Sequence, residues 1–158
     1  MSTNPSTFLT PRQRARELAF QFLFRHDQDS ESTLTSSQIE ADFAKHAEHF
    51  KTRDESMEFA LRLVQTALKE LKTIDATIVK HAENWRLERL GTVEKSLLRI
   101  GTAELLYFKD VPASVTLNEI VELSKAFGEA DTPSFINGIL DPVSREPQAL
   151  AGKVPSDS

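Results

Sequence analysis

Four guanidinium groups fall within one short stretch, at Arg12, Arg14, Arg16 and Arg25. A guanidinium is a permanently charged planar fork of donors that pairs bidentately with phosphate oxygens, so the chemistry offered is recognition of a polyanion. The placement runs against the helix dipole. Three of the four lie in the first turn and a half of an expected helix, where the N-terminus is already partly positive and favours anions. Concentrated positive potential at that end suits a phosphate backbone. The competing reading is a solvated face bridged to the protein's own carboxylates. From Met1 to His26 the four arginines oppose Glu17 alone, giving +3, so the other 132 of the 158 residues carry −8 of the net −5. A polyanion would therefore be met locally, while the acidic body limits non-specific affinity and equally suits a basic protein partner.

Other chemistry is thinly represented. The chain has no cysteine, which removes disulfides, thiolate zinc sites and cysteine nucleophiles. His46 and His49, three apart, would both touch a metal on one helix. They have no further ligand in recognisable spacing, and an exposed polar face is the expectation. Glu104 falls on the same side as Val93 and Leu97, where a carboxylate needs partners. No companion base, nucleophile or glycine-rich loop accompanies it, so a structural hydrogen-bonding role is expected, with no catalytic site, metal or cofactor. No apolar run is long enough to span a bilayer and the N-terminus lacks a signal-peptide pattern, which makes the cytoplasm the expected location.

The elements that position these residues are helical throughout. Thr10 caps the first helix, Pro11 suits its first position and Gln13 is placed to close a capping box. Ala15, Leu18, Ala19, Phe22 and Leu23 then share one face, with Arg12 and Arg16 on one flank of it and Arg14 and Arg25 on the other. Asp27 to Thr33 reads as a loop. Ile39, Phe43, Ala47 and Phe50 recur at helical spacing. From Ser56 a seam of Met57, Ala60, Val64, Ala67, Leu71, Ile74 and Ile78 follows, with a break expected at Thr73 to Asp75. The seam lasts only about three heptads, which suits packing within the chain better than a coiled-coil dimer.

Trp85 begins a short amphipathic piece that Gly91 ends. Thr92 caps a helix whose Val93, Leu97, Leu98, Ile100, Leu105, Leu106 and Phe108 spread over most of its circumference, which marks it as central. Asp110-Val-Pro112 turns the chain. A helix over 114–127 should point Val115, Ile120, Leu123 and Phe127 inward and end at Gly128. Thr132 and Pro133 start another, with Phe135, Ile136, Ile139, Leu140 and Val143 on its core face. The expected architecture is all-α, a compact bundle of about seven helices in one domain over 10–146, with a flexible leader over 1–9 and a disordered tail over 147–158.

Arg12-Gln-Arg-Ala-Arg-Glu17, Gly91-Thr-Val-Glu-Lys-Ser-Leu-Leu-Arg-Ile100, Asp110-Val-Pro112, Leu117-Asn-Glu119, Glu122-Leu-Ser-Lys-Ala-Phe-Gly128 and Phe135-Ile-Asn-Gly-Ile-Leu-Asp141 stand in an order and spacing that resembles the NusB transcription antitermination factors. The resemblance covers about Arg12 to Asp141. It implies two small helical bundles packed together. It also implies a non-enzymatic factor that binds the boxA element of ribosomal RNA transcripts jointly with NusE, a small ribosomal subunit protein, within an antitermination complex on RNA polymerase. Some relatives form homodimers.

By position the family's RNA-binding residues fall on Arg12, Gln13, Arg14, Arg16 and Phe24, and on a second cluster of Phe127, Asp131 and Phe135. Gln13 stands where many members have another arginine, and Phe24 where many have tyrosine. Glu88 and Glu94 are the partner-binding candidates the resemblance implies. Core packing for the two phenylalanines and helix capping for Asp131 remain open beside RNA contact. Two other functions also stay open. One is a helper module for an enzyme that modifies ribosomal RNA. The other is a protein-only helical scaffold.

Overall fold

The computed structural model describes residues 9–27, 35–48, 54–82 and 90–155. Among them the chain is all-helical: α1 (Pro11–Asp27), α2 (Ser36–Glu48), α3 (Asp54–Lys69), α4 (Leu71–His81), α5 (Thr92–Tyr107), α6 (Ala113–Phe127), α7 (Thr132–Ser144) and the four-residue α8 (Pro147–Leu150). Two compact units meet in the chain between Gln65 and Thr66. Residues 1–8 of the expected leader, His49, Phe50 and the short piece beginning at Trp85 lie outside the described residues.

In the first unit α1 buries Ala15, Leu18, Ala19, Phe22 and Leu23, the face its periodicity predicts. α2 supplies Ile39, Phe43 and Ala47, and the Phe43 ring meets Phe22 edge-on with centroids 5.6 Å apart. Each of these helices starts with a capping box. Thr10 N donates to Gln13 Oε1 at 2.9 Å while Gln13 N donates to Thr10 Oγ1 at 3.2 Å, and Thr35 with Gln38 repeats the exchange at 2.8 and 3.2 Å.

The break in the long seam lies at Glu70, not at Thr73 to Asp75, which are inside α4. Asp75 is held there by a bidentate pair with Arg99 of α5, Nε to Oδ1 and Nη2 to Oδ2 both at 2.9 Å, so a residue suited to breaking a helix is used as a cross-link.

In the second unit α5 is central, with Leu97, Leu98 and every residue from Ile100 to Leu106 buried. Gly101 lets Leu140 of α7 pack close against α5: a Cβ there would lie 2.6 Å from Leu140 Cδ1. Glu104 is fully buried and accepts from Thr116 Oγ1 of α6 at 2.8 Å, the structural role expected of it. Val115 and Phe127, expected inward, are instead exposed on α6.

The segment from Pro147, expected as a disordered tail, instead begins with α8 and is held against the end of α5. Ala149 is buried, and Lys153 Nζ donates to the carbonyls of Glu104 at 2.9 Å, Leu105 at 3.3 Å and Phe108 at 2.8 Å. Val154 N also donates to Lys109 O at 3.0 Å. Glu104 O also accepts from Phe108 N at 3.1 Å and Phe108 O from Val111 N at 3.2 Å, so the Lys153 ammonium adds a further donor to carbonyls at the end of α5. Burial pushes the Lys153 ammonium down to about 8, with Glu104 raising it, Lys109 lowering it and Asp110 raising it to lesser degrees.

Candidate nucleic-acid interface

The arginines of α1 are not equivalent. Arg12 is exposed, with its guanidinium carbon 4.5 Å from the centroid of the Phe59 ring on α3. Arg16, one turn on, reaches the same ring at 5.4 Å but is only 2% exposed. One aromatic ring therefore holds two cations on the flank the helical period assigns to them. Arg14, on the other flank, has Nη1 3.4 Å from Glu17 Oε2. Arg25, exposed at the end of α1, bonds His46 of α2. Gln13 has its side-chain oxygen engaged in the capping box. Phe24 is half-buried, its ring 6.1 Å from that of Phe20.

Arg12 also borders a surface cleft with Glu55, Glu58 and Arg62 of α3, so acidic side chains adjoin the positive end. Phe59 went unsingled in the sequence because the seam runs through Ala60 and Val64, yet Phe59 and Leu63 form a second buried pair on α3. Their spacing of four was the available signal. His46, expected on an exposed face, is buried at 4% exposure because Phe22 and Phe43 close around it. Among the described residues no group of three histidine, aspartate or glutamate side chains could hold a metal, and no helix is long and apolar enough to cross a membrane.

In the second unit the turn between α6 and α7 gathers the other cluster. Phe127 ends α6 and is 37% exposed; Phe135, in the first turn of α7, is half-buried. Asp131 is exposed at the start of α7 and makes no side-chain capping bond. The capping work passes to Thr132, whose Oγ1 accepts from Glu129 N at 2.9 Å and donates to Glu94 Oε1 of α5 at 3.2 Å. Gly128 is required at this turn because a Cβ would lie 2.6 Å from that of Thr132. Glu94 is thus turned toward the base of the α6–α7 turn, while Glu88 lies outside the described residues.

The family model described as NusB matches residues 13–145. The chain belongs to the NusB family. The transcription antitermination protein NusB of Exiguobacterium sp. is 40% identical over 135 residues, 85% of this chain and 98% of the relative. The fold superposes on NusB of T. maritima with TM-score 0.74 and 33% identity over 87% of this chain and 92% of that one. It also matches a structure of the antitermination factors NusB and NusE with double-stranded RNA, with TM-score 0.74 and 31% identity over 85% of this chain and 96% of that one. The all-α architecture is the NusB fold. In this member of the family Gln13 closes the cap of α1 with Thr10.

Proposed function

We propose that this chain is a non-catalytic, cytoplasmic transcription antitermination factor that binds boxA-type single-stranded RNA of ribosomal RNA transcripts together with NusE, as part of an antitermination complex on RNA polymerase. The observation that carries the reading is a family match over nearly the whole described chain; the exposure of Arg12, Phe127 and Asp131, which the resemblance assigns to RNA contact, supports it. Arg12 and Arg14 offer donors to phosphates, and Gln13 lacks the charge of the arginine it replaces, which lowers the salt sensitivity of binding. Arg16, beneath them, steadies the shared Phe59 ring. Phe24, Phe127 and Phe135 offer ring faces to unpaired bases, and the Asp131 carboxylate accepts from base amino groups.

NusE supplies further RNA-binding surface, so each ligand raises the affinity for the other by linkage. Glu94, and Glu88 with it, contribute negative charge toward that basic partner. Self-association of the free protein, as in some relatives, would compete for this surface. The test is RNA affinity measured by fluorescence anisotropy with and without purified NusE. Tighter binding of boxA than of scrambled RNA, enhanced by NusE, is expected; equal binding of the two RNAs sinks the proposal. A protein-only scaffold finds its support in the Arg14 to Glu17 contact at 3.4 Å and the glutamates beside Arg12. Replacing Arg12, Arg14 and Arg16 by alanine separates the readings, since a scaffold has no RNA affinity to lose.

A further inference from the structure

Gly138 sits in the middle of α7, is exposed, and has a backbone outside the left-handed region. Among the described residues a Cβ built there meets nothing within 4 Å. Neither reason for a helical glycine applies among the described residues, since no conformation demands it and no described element approaches. Gly101 shows the contrast, with Leu140 packed against the place its Cβ would take. An exposed glycine in a helix interior loses more conformational entropy on folding than alanine would, so α7 carries a cost with no internal return.

We infer that Gly138 is a point of close approach for bound RNA, extending along α7 the site formed by Asp131 and Phe135. This rests on the RNA-binding reading above. At 100° per residue Gly138 lies about 20° from Asp131 and about 60° from Phe135, on one exposed strip of the helix. Seven residues further along the same strip comes Arg145, whose side chain is 64% exposed and pairs with Asp141, itself 46% exposed. Such a surface pair contributes little, so a phosphate can compete for the guanidinium.

Ser134 and Asn137 add exposed hydrogen-bonding groups beside the glycine. No large exposed apolar side chain lies on α7, which leaves a protein partner without the buried anchor that such interfaces are built around. The surface fits a sugar-phosphate backbone lying against bare helix at Gly138, with Phe135 at one end and the Arg145 cation at the other.

The test uses the full chain with a fluorescein-labelled boxA-type RNA and purified NusE. Gly138→Ala should raise Tm by roughly 2–4 °C while weakening RNA binding about threefold, because the substitution favours the helix and fills the contact. Gly138→Leu, also compatible with the helix, should weaken RNA binding about tenfold or more and leave affinity for NusE in the absence of RNA unchanged. Full RNA affinity in Gly138→Leu overturns the inference and leaves the RNA-binding reading intact. A loss confined to NusE affinity also overturns it, with a protein as the occupant. If the unaltered chain binds no RNA, both fall together.

Discussion

Arg25 Nη1 donates to His46 Nδ1 across 3.0 Å, joining the last turn of α1 to the last turn of α2. A guanidinium has no acceptor, so Nδ1 must offer its lone pair and the ring proton sits on Nε2. The imidazole is also packed against the Phe22 and Phe43 rings, with centroids 5.7 and 6.3 Å away. Two kinds of interaction therefore converge on one buried side chain, and they can be measured apart. His46→Ala removes both the packing and the acceptor and should cost about 2 kcal/mol, whereas Arg25→Ala, at an exposed position, should cost less than about 1 kcal/mol. Urea unfolding of the two variants and their double mutant checks this; equal losses would mean that packing of the imidazole is unimportant.

The Phe59 ring predicts a separation of stability from binding at α1. Phe59→Leu retains burial but removes the aromatic face beneath Arg12 and Arg16, and should destabilise the fold by about 1 kcal/mol. Arg12→Ala should leave the fold nearly unchanged while lowering the slope of log affinity against log salt by about 1, the signature of one lost phosphate contact. Titrations at several salt concentrations read that slope directly. An unchanged slope would place Arg12 off the phosphate backbone.

Lys153 predicts a rise of stability with pH. Its ammonium is held at about 8 in the folded protein against an ordinary value of 10.5. Between these values the unfolded chain keeps a proton that the folded chain releases, so folding is favoured as pH increases through that window. Relative to Lys153→Met, the unaltered protein should gain stability from pH 8 to pH 10 as followed by urea midpoints. A difference that stays flat over that range would contradict the burial of this group.

Glu146 predicts the opposite end of the profile. Its carboxylate accepts from Lys80 Nζ at 2.8 Å and His81 Nε2 at 2.6 Å, and these bonds, Lys80 first, hold its pKa below the ordinary 4.5. The folded state then binds this proton less readily than the unfolded state, so the contribution is present above pH 4.5 and is lost as pH falls through the lowered value. Thermal melts from pH 6 to pH 3 should show a steeper decline for the unaltered protein than for Glu146→Gln. Parallel declines would show that the contacts to Lys80 and His81 carry no stability.

What the order of residues determined by itself is local. Thr10 and Gln13 are three apart, so their capping box follows once a helix starts there, and the buried face of α1 follows from its period. The encircling apolar residues of α5 likewise marked it as the centre before any partner helix was placed. Gly128 marked where α6 ends, and the colinear motifs carried the family.

Tertiary structure decided matters that depend on residues far away in the chain. Arg16 is buried because α3 brings Phe59 to it; Asp75 stays helical because Arg99 takes up its carboxylate. The segment after Pro147 has no repeating apolar pattern to announce it, and its order comes from Lys153 reaching the last carbonyls of α5, 45 to 49 residues earlier. Helical period and capping act over three or four residues and can be read along the chain. A single side chain satisfying a distant charge, ring or carbonyl leaves no period, so only folding reveals it.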